Sequence, residues 1–176
     1  DKARRFEQYA DVVANQAFRA LLDGFPGLSW DNRLMIVVPD DDFRMKFESH
    51  LEASLQSMRP VKLVDAKEAS AAFTVQDQDV ERIVLTSVDA ADGLERLAVI
   101  LVGLDVPREE GEKELSDGTR SLIYRGLTRA QLMAIVVNEQ LEDGYLSWMN
   151  HVELDKEAEF DQEQARAEQE LRAQEW

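Results

Sequence analysis

Cysteine is absent from the 176 residues, histidine occurs only at His50 and His151, and proline occurs four times. Without cysteine there is no disulfide, no thiolate metal site and no cysteine nucleophile. Two histidines cannot assemble a multi-histidine zinc site. Bases are scarce as well: 20 Lys and Arg against 36 Asp and Glu leave a formal charge of -16. That balance opposes free-standing, tight binding to a phosphate backbone. Long apolar runs are missing too. Leu97 to Val102, as long as any, falls far short of the ~20 residues that a bilayer requires, so no membrane partner is expected. Asp1-Lys2-Ala3-Arg4-Arg5 opens directly into an amphipathic pattern, with no apolar core ahead of a cleavage site. Nothing predicts secretion, and the expected setting is intracellular, either cytoplasmic or nuclear. Three site motifs are also absent: the Gly-x4-Gly-Lys-Ser/Thr phosphate loop, the Gly-x-Ser-x-Gly elbow and the Gly-x-Gly-x-x-Gly fingerprint.

What is present is a chain 44% hydrophobic, long enough for one domain with a sizeable core. Apolar residues at Phe6, Ala10, Val13, Ala17 and Leu21 fall on one face of a helix, stopped by Gly24 and Pro26. Leu34 to Val38 reads as a buried strand. Phe43, Phe47, Leu51 and Leu55 recur every four residues in a helix behind Asp40, Asp41 and Asp42, where carboxylates suit the positive end of the dipole. Val61 to Val64 predicts a second strand, and Asp65 with Glu68 a capping box for a helix through Ala72. Ile83 to Val88 and Leu97 to Leu104 predict strands joined by a segment too short for a crossover helix. The charged, glycine-containing stretch Pro107 to Gly118 predicts a mobile loop. Thr119 to Ala130 predicts a helix and Ala134 to Val137 a last strand.

This alternation implies an α/β three-layer sandwich, a mostly parallel sheet of about five strands with helices on both faces. Residues 1–150 form that domain. The remainder, 151–176, reads as an acidic helical tail: from Glu153 onward it holds nine acids against three bases. Phe160, Ala167, Leu171 and Trp176 give it only a thin apolar stripe, enough for docking on a neighbour, while its charge suits a basic protein partner. Ligands of open parallel sheets lie outside the carboxyl ends of the strands, so chemistry is expected at Pro39 to Asp42, Asp65, Ser87 to Glu95, Asp105 to Gly118 and after Val137.

Two segments carry a more specific signal. Ile83-Val84-Leu85-Thr86-Ser87-Val88-Asp89-Ala90-Ala91-Asp92-Gly93-Leu94-Glu95, followed by a strand, resembles motif V of superfamily-one helicases. About thirty residues on, Ile123-Tyr124-Arg125-Gly126-Leu127-Thr128-Arg129-Ala130-Gln131 resembles their motif VI. The first strand with Arg44 is similar to the start of motif IV. The family resembled has UvrD/Rep-like and RNA-decay-helicase-like branches; many members carry His at the place of Asp89 and Lys at that of Asp92, whereas the branch that resembles RNA-decay helicases has Ser-Val-Asp-Ala, as here. Together the resemblance spans Leu34 to Asn138.

The resemblance implies the second RecA-like lobe of an ATP-dependent helicase or translocase. Its partner would be a first lobe bearing the phosphate loop and the magnesium site, so ATP and Mg would be shared between the two. Arg129 would be the arginine finger, worth ~10³ to 10⁵ in turnover in comparable phosphoryl-transfer enzymes. Glu95 would accept a hydrogen bond from the ribose, Gly93 would admit close approach of the nucleotide, and Arg125 and Gln131 complete the cofactor set. Arg44, Ser87 and Asp89 would face single-stranded DNA or RNA in the full-length protein. No metal ligand is assigned within this chain, and alone it is expected to hydrolyse nothing.

Plainer readings stand beside these. Arg129 as a cation in the last turn of a helix is favoured by the dipole. Gly93 and Glu95 serve equally as a tight turn, Asp40 to Asp42 as a helix cap, His50 as a surface residue, and Tyr145 and Trp148 as packing under the tail. A degenerate lobe kept as a non-catalytic interaction or regulatory module, or a small flavodoxin-like or receiver-like domain, would share the architecture.

Overall fold

The computed structural model describes residues 2–71, 80–105, 113–139, 141, 144 and 146. The five apolar runs form one five-stranded, all-parallel sheet: β1 Leu34–Val38, β2 Val61–Val64, β3 Glu81–Ser87, β4 Arg96–Val102 and β5 Ala130–Val137. Their order across the sheet is β2-β3-β1-β4-β5. The fold is therefore α/β, as expected, with β1 at the centre and buried along its whole length. A strand covered on both faces reads as a continuous apolar run, which Leu34 to Val38 does.

Because successive side chains alternate, each inner strand feeds two cores. Leu34, Ile36, Val38, Ile83, Leu85, Ile100 and Val102 enter one, which is closed by the amino-terminal helices and by α3, Asp41–Gln56. Met35, Val37, Val84, Val99 and Leu101 enter the other. There they meet Ala69 of α4 (Ala66–Ala71), Val88 and Ala91 of the β3–β4 connection, and Ile123 of α5 (Lys113–Leu127). The result is three layers around a sheet. The first core holds the buried aromatic side chains, Trp30, Phe18 and Phe47 among them.

The amino-terminal helix is less regular than its apolar spacing suggests. α1 (Lys2–Val12) passes into a π-helical stretch, Val13–Phe18, and then α2, Arg19–Gly24. Its buried residues are Tyr9, Ala10, Val13, Ala14, Ala17, Phe18 and Leu21, a repeat of four. At 3.6 residues per turn such a repeat would rotate by about 40° per step. The wider i→i+5 turns, as in the bond from the Arg19 N–H to the Ala14 carbonyl, keep the stripe on the sheet.

Four boundaries differ from the sequence reading. Lys113 to Gly118 belong to α5 rather than to a loop, while residues 106–112 lie outside the described residues. Charge density there misled, because charged residues are good helix formers, and a Cβ at Gly118 would meet nothing within 4 Å. α5 ends at Leu127, so Arg129 stands beyond it in the turn. β5 starts at Ala130, not Ala134. It is an edge strand with Gln131 and Leu132 exposed, so its amino half lacks the apolar continuity of a covered strand. Gly103 stops β4 two residues before Leu104: its φ is +67°, and an added Cβ would lie 2.9 Å from Cε2 of Phe43. Tyr145, Trp148 and the tail from Glu153 lie outside the described residues.

Candidate functional site

The eight candidate residues fall at two ends of the sheet. Ser87 ends β3 and lies level, across Val38, with the end of β4. From that row to Arg96, the first residue of β4, is six residues, about 20 Å of strand. Asp89 follows Ser87, and Arg44 sits near the start of α3, which leaves the same end of β1. Glu95 immediately precedes β4, while Arg129 and Gln131 bracket the first residue of β5. The expectation that Ser87 to Glu95 lies beyond a carboxyl end is therefore corrected for Glu95, which stands at an amino end together with Arg129 and Gln131. A segment that leaves one strand's carboxyl end must reach the next strand's amino end, and Glu95 is where it arrives.

At the amino end the two motifs meet. The Arg96 N–H donates to the Arg129 carbonyl at 3.0 Å, and Gln131 Nε2 reaches Glu95 Oε2 at 3.4 Å. Gly93 holds φ +83°, a conformation that glycine adopts without strain, and the space where a Cβ would sit is open. Arg129 Nε donates to the Arg125 carbonyl at 3.3 Å, and its Nη2 to Thr128 Oγ1 at 3.5 Å. The guanidinium thus covers a terminal carbonyl of α5, which suits both the plain helix-end reading and a poised cation. Glu95 and Gly93 are exposed.

Arg125 ties the two ends together. It bonds Asp89 Oδ1 at 2.8 Å, Asp92 Oδ2 at 3.0 Å and the Val88 carbonyl at 3.5 Å. These bonds, Asp89 first, raise its pKa above the ordinary arginine value. Sequence reasoning gave Arg125 to the cofactor; the structure places it as a clasp between α5 and the β3–β4 connection. That connection turns through Ala91 N–H to Ser87 carbonyl and Leu94 N–H to Ala91 carbonyl, each at 3.0 Å. Val88 and Ala91 anchor it in the core.

The three residues expected to face nucleic acid are not gathered into one surface. Ser87 is only 4% exposed. Asp89 is exposed and engaged by Arg125. Arg44 pairs with Asp41 at 3.4 Å and Glu48 at 3.2 Å on α3, which packs on the opposite face from α5. Asp40 caps α3, its Oδ1 accepting the Phe43 N–H at 2.7 Å, and Asp65 does the same for α4 through Glu68 at 2.7 Å. His50 is exposed. Among the described residues no group of three His, Asp or Glu side chains could hold a metal ion, and no helix is long and apolar enough to cross a membrane.

Sequence reasoning missed Arg96. Its Nη1 donates to the Glu95 carbonyl at 2.7 Å and its Nη2 to Asn32 Oδ1 at 3.0 Å, while its buried Nε has no partner. Burial pulls its pKa below the ordinary arginine value.

No family model and no curated protein matches the chain. Among solved structures, a similar one is the C-terminal domain of a possible DNA helicase from Lactobacillus plantarum WCFS1. It is 19% identical with a TM-score of 0.47, and the match covers 76% of this chain and 68% of that one. A likeness of that degree says nothing of side-chain chemistry.

Proposed function

We propose that this chain is the second RecA-like lobe of an ATP-dependent nucleic-acid helicase or translocase. The observation that carries the reading is the junction of the Gly93-Leu94-Glu95 turn with Arg129. Thirty-four residues apart in sequence, they are joined by the Arg96-to-Arg129 backbone bond. The two motif-like segments would form a single site in such a lobe. ATP with Mg would supply the scissile phosphoanhydride and would be held by a first lobe carrying the phosphate loop. Within this chain Arg129 would leave its helix-end carbonyl to meet charge developing on the terminal phosphate. Glu95, oriented by Gln131, would accept from a ribose hydroxyl, and Gly93 would keep the approach open. Asp89, at the far end of the same connection, would face the single strand of DNA or RNA. Arg125 would pass a shift at one end of that connection to the other.

In a protein that joins this chain to a phosphate-loop lobe, Arg129→Ala is expected to leave ATP affinity within a few-fold and to cut turnover by at least ~10². The 176-residue chain alone is expected to show no ATPase. Unaltered turnover would defeat the finger assignment, and robust hydrolysis by the chain alone would show that a complete site had been overlooked.

The second reading, a non-catalytic interaction module, draws on Asp92: where many similar proteins carry Lys, an acid here occupies Arg125 at 3.0 Å. It predicts turnover indifferent to Arg129 and capture of a basic protein partner by the acidic tail.

A further inference from the structure

Arg33, Arg96 and Arg129 stand at the amino ends of three adjacent strands, β1, β4 and β5. At ~4.8 Å per strand they line about 10 Å of rim. None of the three is paired with a carboxylate among the described residues. Arg129 has a helix-end carbonyl to satisfy, but Arg33 and Arg96 follow no helix. Arg33 comes from the turn after Trp30, with Nη1 on the Ser29 carbonyl at 3.1 Å. Arg96 comes from the β3–β4 connection.

Folding alone does not account for Arg96. A half-buried guanidinium with an orphaned Nε is unfavourable, and neighbouring cations repel. The side chain is nonetheless fixed by Asn32, whose backbone takes φ +53°, an uncommon conformation that asparagine tolerates better than most residues. An anion spanning the strands would offset the repulsion among these cations. Guanidinium forks match phosphate oxygens in pairs.

We propose that Arg96, oriented by Asn32, is a second phosphate-binding cation beside Arg129, and that with Arg33 it makes this rim a site for the terminal phosphates of a nucleotide. The rim as a phosphate site stands on the geometry; the nucleotide as its source rests on the lobe reading above. Asn32 is a positioning residue, acting through Arg96.

The test is a titration of the 176-residue chain with inorganic tripolyphosphate, followed by NMR at the arginine Nε–H resonances. Saturable shifts are expected at Arg33, Arg96 and Arg129. Arg96→Gln should weaken binding about three- to ten-fold, Asn32→Ala about two-fold, and Arg96→Lys should restore part of the loss. Arg59→Gln is the control, since that arginine sits at the same end of the sheet but is paired with Glu81 at 3.0 Å; it should change nothing. If Arg96→Gln does not fold, the exposed Arg33→Gln should weaken binding about two-fold in its place. Absence of saturation, indifference to Arg96→Gln in a folded chain, or equal weakening by Arg59→Gln overturns the proposal. ATP should displace tripolyphosphate better than a short single-stranded oligonucleotide does, and the reverse ranking overturns the nucleotide assignment. Turnover separates this inference from the function it rests on. Loss of rim binding alongside an Arg129→Ala turnover defect sinks the rim alone; rim binding through Arg96 with turnover untouched by Arg129→Ala sinks the motor alone.

Discussion

Each strand of the sheet begins beside an arginine and ends beside a carboxylate, and the two ends differ in how much of that charge the fold uses. Arg33, Arg59, Arg82, Arg96 and Arg129 lie within two residues of the strand starts; Asp40, Asp65, Asp89, Asp105 and Glu139 lie within three of the strand ends. Every one of the five acids holds something in place. Asp40 and Asp65 cap α3 and α4, Asp105 accepts the Leu146 N–H at 2.8 Å, Asp89 holds Arg125 and Glu139 holds Arg5 at 2.7 Å. Strands that run into helices place helix amino termini at their carboxyl ends, where carboxylates are favourable. The arginine end has no such uniform account. Arg59 and Arg82 are paired, with Glu81 and Asp31; among the described residues Arg33, Arg96 and Arg129 have no carboxylate partner. Acid at one end is explained by folding, whereas cation at the other is in excess of what folding uses.

That contrast breaks if the paired and unpaired arginines behave alike. Arg82 holds the Asp31 carboxylate through its Nε at 3.0 Å and Nη2 at 3.1 Å, and both side chains are largely enclosed. Arg82→Met is expected to cost about 2 kcal/mol, the usual penalty for stripping a partner from a partly buried carboxylate, read as a fall of about 4–8 °C in Tm. A shift near zero would place Arg82 with the idle cations. The next effect belongs to the acid end. Asp40→Ala removes the cap on a 16-residue helix and should cost about 1 kcal/mol, measured from the urea midpoint at constant m. An unchanged midpoint would mean that the acids at that end are as dispensable as the rim arginines.

The sheet was legible because its inner strands are covered on both faces, so Leu34 to Val38, Ile83 to Leu85 and Leu97 to Val102 read as unbroken apolar runs. Legibility failed where covering fails. The amino half of β5 has one free edge and exposes Gln131 and Leu132, and the first turns of α5 carry charge that reads equally as loop. The π stretch was hidden because a repeat of four is close enough to helical spacing to pass for it. At the site, the motif-like segments indicated Glu95 and Arg129, and the structure brings them together; their roles remain those of the proposal. Arg96 was invisible because whether an arginine lacks a counter-ion depends on which strands are neighbours, and the order β2-β3-β1-β4-β5 does not follow the chain. One signal was available without coordinates: an arginine within two residues of the start of four of the five predicted strands, in a chain carrying a net charge of -16.

The smallest expected effect sharpens the comparison most. Arg33 lies one residue outside β1, exposed, on the central strand whose starting row it shares with Arg82. Its described contact is a single bond to the Ser29 carbonyl in the same turn. Position in the sheet is therefore matched while partnership is not. If the arginines were there to stabilise the strand starts, Arg33→Gln and Arg82→Met would differ little. If the excess cation serves a ligand, Arg33→Gln should leave stability within about 0.5 kcal/mol of the parent, as exposed substitutions do, while still weakening tripolyphosphate binding. Both readings come from the same purified variant, one by urea denaturation and one by titration, so a destabilised Arg33→Gln that binds normally would return the whole row to the account of folding.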